Sequence, residues 1–149
     1  MDSGILLVYF SQTGKTEEIA NLIARVIECD VEKIRPVTPY TGSRASIRKQ
    51  IIVSKNRPNP FIEKPVHDIT RYGTVVLGMP VWENDIPAPV RTYIENIDWR
   101  GIRVHPFFSS GGMYQGIFYR LKEELKGAAI TDPLYLIYDD SGNYIGAIE

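Results

Sequence analysis

Apolar runs alternate with amphipathic stretches along the whole chain. Ile5-Leu6-Leu7-Val8-Tyr9-Phe10 is apolar at every position, the pattern of a central parallel strand covered on both faces. The next segment, KTEEIANLIARVI, sets Ile19, Leu22, Ile23, Val26 and Ile27 at helical spacing. Glu17 and Glu18 fall in its first turn, where the helix dipole favours them, and Thr13 or Gly14 is the expected cap. DVEKIRP reads as a weak edge strand, and SRASIRKQIIVSK as a helix with Ile47 and Ile51 on one side. The prolines of NRPNPFIEKP, residues 56–65, exclude regular structure, so it reads as a loop. TVVLGM is a second buried strand. APVRTYIENI repeats the helical spacing through Val90, Tyr93, Ile94 and Ile97, with prolines suited to a helix start. IRVHPFF is a third buried strand in which Pro106 removes one ladder donor. QGIFYRLKEELK aligns Ile117, Leu121 and Leu125 before Gly127 ends the helix, and LYLIY is a last strand. This alternation predicts one α/β domain over residues 1–149, a parallel sheet with helices on both faces and right-handed crossovers.

In open sheets of this kind, ligands bind beyond the carboxyl ends of the strands. Three loops there carry candidate chemistry: SQTGKT, PVWENDIPAP and SSGGMYQG. The tail Gly14-Lys15-Thr16 matches the end of an ATP-binding P-loop, but the glycine that motif requires five positions before Gly14 is Tyr9. The loop is also too short to wrap a triphosphate. It can hold one terminal phosphate: Ser11, Thr13 and Thr16 offer hydroxyls, and the N–H groups from Gln12 to Thr16 point at the helix entrance. A plain capped turn needs only one hydroxyl. Trp82, followed by Glu83-Asn84-Asp85, reads as the rim of a cleft rather than core. Ser109-Ser110-Gly111-Gly112 offers backbone donors beside Tyr114. Aromatic rings from two adjacent loops can sandwich a flat ring. A phosphate site with a flat-ring slot describes a mononucleotide-like cofactor.

Composition trims the alternatives. Charged residues are 23% and hydrophobic residues 44%, which excludes a disordered chain. The net charge of −1 gives no global case for nucleic acid or an anionic membrane. One local bias stands out between Ser43 and Tyr72, where Arg44, Arg48, Lys49, Lys55, Arg57, Lys64 and Arg71 face only Glu63 and Asp68. It reads as a solvated basic face, with a docking surface as the alternative. The single cysteine, Cys29, allows no internal disulfide and suits a reducing compartment. No secretory signal is expected, no apolar run is long enough to span a bilayer, and a cytoplasmic location follows. His67 and His105 lack metal-ligand spacing.

At this point the chain resembles the flavodoxin family, in the branch whose second loop reads Pro-x-Trp. VYFSQTGKTEEIANLIA is similar to that family's phosphate-binding signature. VVLGMPVWENDIPAPVRTYIENID is similar to its first flavin loop and following helix, and GIRVHPFFSSGG to the strand and second flavin loop. The match runs from about Ile5 to Gly127 in the family's order. The resemblance implies a flavodoxin-like doubly wound sheet of five parallel strands, order 2-1-3-4-5, and non-covalently bound flavin mononucleotide (FMN). Ser11, Gln12, Thr13, Gly14, Lys15 and Thr16 would bind the phosphate. Trp82 would lie against the flavin, and the backbone of Pro80, Val81, Trp82, Glu83 and Asn84 would approach its edge. Ser109, Ser110, Gly111 and Gly112 would contact the ring, with Tyr114 stacked on it or flanking it. Glu83 and Asp85 would disfavour an anionic reduced flavin and lower its potential.

The sequence departs from the family in four respects. Lys15 stands where asparagine is more usual and adds charge near a dianion. No glycine lies between Trp82 and Pro89, although Asn84 tolerates unusual dihedrals. The near-neutral charge lacks the acidic steering of many carrier flavodoxins. The usual C-terminal helix is missing: SGNYIGAIE reads as a turn and a short strand. The sheet face it leaves must be covered by that strand, by a second subunit or by something else, and an exposed apolar face invites a homodimer. The leading expectation is an FMN-bearing electron-transfer protein served by a reductase and an acceptor protein. The alternative is an FMN-dependent NAD(P)H oxidoreductase acting on quinones or similar small molecules, with Tyr114 and His105 as the only acid–base candidates.

Overall fold

The computed structural model describes residues 2–55, 58–112 and 114–148. The first two residues of the 56–65 loop, Arg57 of the basic segment among them, and position 113 of the third loop lie outside the described residues. In chain order the elements are β1 (Asp2–Tyr9), α1 (Lys15–Val26), β2 (Asp30–Lys33), α2 (Arg44–Ser54), β3 (Tyr72–Pro80), α3 (Ala88–Glu95), β4 (Arg103–Ser110), α4 (Ile117–Glu124), β5 (Ala129–Ile130), β6 (Leu134–Tyr138) and β7 (Tyr144–Ile148). The sheet order is β2-β1-β3-β4-β6-β7, with β5 paired to β4. All pairings are parallel except β6 with β7. The expected order therefore stands, with the fifth strand delivered in two pieces and an antiparallel strand added at the edge.

Pro106 explains the split. Thr131 N–H donates to the Val104 carbonyl at 3.0 Å, so alternate residues of β4 face the fifth strand. Pro106 faces it too and has no N–H to give. The fifth strand breaks between Ile130 and Leu134, alongside that missing donor.

The sheet separates two apolar layers. One contains Leu6, Val8, Phe10, Val75, Leu77, Met79, Val104 and Phe108, closed by Val90, Tyr93 and Ile94 of α3 and Ile117, Leu121 and Leu125 of the α4 region. The other is smaller: Leu7, Tyr9 and Phe107 under Ile19 and Ala20 of α1. On this side Gly78 is required by packing, because a Cβ there would stand 2.0 Å from the Phe107 ring. The apolar stripe expected on α1 is only partly used. Ile19 is buried and Ile23 half-buried, but Leu22 is 53% and Val26 84% exposed. The reason lies at the C-terminus. β7 extends the sheet edge instead of lying across this face, so no helix flanks α1 among the described residues. Val76, Leu134 and Leu136 remain half-buried there.

Candidate functional site

The loop between β1 and α1 turns on Gly14, whose φ of 97° is costly for a residue with a Cβ. Gly14 is the N-cap, one of the two expected, and the hydroxyl that serves the first turn comes from Ser11 rather than Thr13. Ser11 Oγ accepts from the N–H groups of Gly14 (3.1 Å) and Glu17 (3.2 Å). The N–H groups of Lys15 and Thr16 find no acceptor among the described residues, and they open the positive end of a 12-residue helix. Thr16, which is buried, spends its hydroxyl on Ser109 Oγ at 2.8 Å. That bond joins the first loop to the third. Val81 N–H donates to the Ser109 carbonyl at 3.2 Å and joins the second loop to the same point.

Lys15 points to the C-terminal hairpin. Its ammonium donates to the Gly142 carbonyl and lies 6.0 Å from the Tyr138 ring centre and 5.6 Å from that of Tyr144. Tyr144 Oη donates back to the Lys15 carbonyl at 3.0 Å. Burial, with Glu18 nearby, pushes the Tyr144 phenol up to about 12. The residue least typical of the phosphate loop thus ties the loop to the hairpin that stands in the place of the missing helix.

The second loop is tighter than its sequence indicates. Trp82 and Asp85 exchange both backbone hydrogen bonds, at 3.0 and 2.9 Å, and enclose Glu83 (φ 50°) and Asn84 (φ 63°). Two successive positive φ values define a type I′ turn, usually built from Asn-Gly. Here neither residue is glycine, so backbone strain is stored at the turn. Asn84 Oδ1 is buried with no hydrogen-bond partner among the described residues. Both acids of this loop are compensated. Glu83 pairs with Arg48 at 2.9 Å. Asp85 lies between Arg91 (3.1 Å) and Arg120 (3.0 Å) and accepts from Ile86 N–H. Burial alone would raise the Asp85 carboxyl, but the Arg120 hydrogen bond, the Ile86 N–H and the Arg91 charge hold it below its ordinary value. A negative field from Glu83 and Asp85, expected from sequence, is offset by these cations.

A cavity of about 570 Å³ lies over these loops, lined by Gln12, Thr13, Pro80, Val81, Trp82 and Glu83. Trp82 is both wall and core: it lines the cavity, is 9% exposed, and packs edge-on against Phe10 and Tyr40. The opposite wall was not legible in the sequence. It consists of Arg44, Ala45, Ile47, Arg48 and Ile51 of α2, with Tyr138 of β6. A Cβ on Gly111 would stand 2.9 Å from the Tyr138 ring, so the third loop also reaches this cleft's edge. Tyr114 lies elsewhere, its ring centre 4.9 Å from that of Tyr135, and it does not line the cavity. Ser110 is buried behind the cleft and accepts from Gly112 N–H at 3.1 Å. His105 bonds Thr131 at 2.9 Å, well down β4. A second cavity, about 500 Å³, lies at the other end of the sheet between Phe61, Ile69 and Tyr93, away from all three loops.

A helix entrance with free N–H groups beside an aromatic-walled cleft, at the carboxyl ends of the strands of an open sheet, defines an α/β protein of the doubly wound class. The Flavodoxin family profile matches residues 4–133, and the chain belongs to that family. No curated protein sequence matches it. Among solved structures it is similar to a protein from Bacteroides eggerthii described as a flavoprotein (28% identity, TM-score 0.81, covering 94% of this chain and 92% of that one). A counterpart from Bacteroides uniformis gives 25% identity and a TM-score of 0.80, over 94% of each chain. A flavoprotein from Lactobacillus acidophilus, solved in complex with FMN, gives 21% identity and a TM-score of 0.76, over 93% of this chain and 95% of that one. Among the described residues no helix is long and apolar enough to cross a membrane.

Proposed function

We propose that this protein binds FMN and carries electrons between a reductase and an acceptor protein in the cytoplasm. The observation that carries the reading is the convergence of the three loops on one buried point, through Thr16–Ser109 and Val81–Ser109, next to the Pro80–Trp82 wall of the cleft. The residues fit the cofactor. The free N–H groups of Lys15 and Thr16, with the Thr13 hydroxyl, would hold the phosphate. Pro80–Asn84 would bound the flavin, and Asn84 Oδ1 supplies an acceptor that has no donor of its own. Gly111 and Gly112 would approach the ring from the third loop, above the buried Ser109 and Ser110 rather than with those two in contact as the sequence suggested, and Tyr114, packed on Tyr135, stays off the cleft. Bound FMN supplies one- and two-electron transfer. The protein's part is to fix the phosphate, exclude water with Trp82, and hold the ring edge on a rigid turn.

The carrier reading is preferred to a quinone reductase because neither acid–base candidate is in position. His105 is engaged on β4, and Tyr114 packs on Tyr135 outside the cleft. The test is to load the protein with FMN and add NADH or NADPH, with and without a quinone. A carrier's flavin absorbance bleaches only when a separate reductase is present. Bleaching by the nucleotide alone, with turnover on quinone, would establish the oxidoreductase instead.

A further inference from the structure

We propose that α2 is the docking surface for an acidic redox protein, an inference that rests on the carrier reading above. α2 is a regular helix of 11 residues, capped by Ser43 on Ser46 N–H, yet none of its residues is buried. Its inner side reaches the cleft through Arg44, Ile47, Arg48 and Ile51. Its outer side shows Ile52 and Val53, 48% and 50% exposed, beside Lys49. Of its apolar residues only Ile51 packs against the main core, so packing leaves most of this helix unaccounted for; recognition accounts for it.

The charge is one-sided. No Asp or Glu occurs between Glu32 and Glu63, and the α2 segment carries Arg44, Arg48, Lys49 and Lys55. Glu83 is the one carboxylate lining the cleft, and Arg48 already pairs with it while staying 70% exposed. Lys55 donates to the Glu83 carbonyl at 3.3 Å. Arg44 and Lys49 have no ion pair among the described residues. The cleft edge is therefore cationic on a chain whose net charge is −1. Charges clustered at one rim steer a partner by their local field, whatever the total. A partner with an acidic rim around an apolar centre complements this surface and is brought over the cleft that would hold the flavin.

The test uses two one-electron acceptor proteins of opposite charge, acidic cytochrome b5 and basic cytochrome c. One fully reduced flavin gives one electron to each of two ferric haems, and its protons pass to solvent. Oxidation by cytochrome b5 should slow about tenfold as salt rises from low to high ionic strength, while cytochrome c should show no such fall. Lys49→Glu should slow the low-salt reaction with cytochrome b5 by about fivefold or more. Arg25→Glu on exposed α1 changes the net charge equally and should leave it within about twofold. With the flavin-free protein, cytochrome b5 should shift backbone NMR signals in residues 44–55. Faster oxidation by cytochrome c, falling with salt, would overturn the proposal, as would equal effects of the Lys49 and Arg25 changes. A protein that takes up no flavin fails before these rates are read and overturns the carrier reading as well; a loaded protein with the wrong salt sign overturns only the docking surface.

Discussion

Asn84→Gly should make the flavin-free protein more stable and its FMN complex weaker. Asn84 sits at φ 63° in a type I′ turn, a conformation that costs a side-chain-bearing residue about 1 kcal/mol. Its Oδ1 is buried without a partner, which costs a further ~1–3 kcal/mol. Glycine removes both terms but adds about 1 kcal/mol of backbone entropy to the unfolded state. The net gain is about 1–3 kcal/mol, a rise in Tm of roughly 3–9 °C for a chain of this length. If the orphaned oxygen accepts a hydrogen bond from bound FMN, its loss weakens binding by about 1 kcal/mol, or roughly fivefold. Thermal unfolding of the flavin-free protein measures the first effect and fluorescence titration with FMN the second. A lower Tm would refute the strain argument. A raised Tm with unchanged FMN affinity would show that Asn84 does not contact the cofactor.

Three further outcomes are expected. Asp85→Asn should cost about 1–3 kcal/mol at pH 7, since it leaves Arg91 and Arg120 facing a neutral group. Because the Asp85 carboxyl titrates below its ordinary range when folded, its contribution is complete above that range and is lost as pH falls from there through the lowered folded value. Urea unfolding should therefore separate the two proteins fully at pH 7 and progressively less as the pH falls below the ordinary carboxylate range. Gly78→Ala should destabilise the fold by about 2 kcal/mol or more, because the new Cβ overlaps the fully packed Phe107 ring; an unchanged urea midpoint would contradict the packing. Exposed Leu22 and Val26 of α1, with half-buried Leu134 and Leu136 on the sheet face that α1 covers, should drive self-association at high concentration. Sedimentation would show it, and Leu22→Glu with Val26→Glu should abolish it; a wild-type monomer throughout would end the idea.

The strands and the turn into α1 were legible because each rests on a local signal: unbroken apolar runs for β1, β3 and β4, and Gly14 with the first-turn acids Glu17 and Glu18 at a helix entrance. Pro106 also announced its effect, though its partner in the broken fifth strand did not show. What stayed hidden depends on distant pairings. The α2 helix was legible from Ile47 and Ile51 on one side, but that this side walls the cleft was not, because it depends on where the helix packs. The compensation of Glu83 and Asp85 needs arginines 35, 6 and 35 positions away, at Arg48, Arg91 and Arg120. The Lys15 side chain read as a charge on the phosphate, but its ammonium meets Gly142, Tyr138 and Tyr144 across more than a hundred residues, which leaves its N–H for the helix entrance. The turn at Glu83-Asn84 was half visible: Asn84 suggested one unusual dihedral, but the second, at Glu83, is imposed by the closing bonds of Trp82 and Asp85.

The central claim is that the entrance of α1 holds the phosphate of a flavin whose ring occupies the Trp82 cleft. Parallel titrations of the flavin-free protein with FMN and with riboflavin test it directly, since the two differ only in that phosphate. Two N–H donors to a dianion contribute about 1.5 kcal/mol each at the lower end, or roughly 100-fold in affinity. The account predicts one FMN per chain, bound about 100-fold more tightly than riboflavin. Equal affinity for the two, or binding of neither, would contradict it.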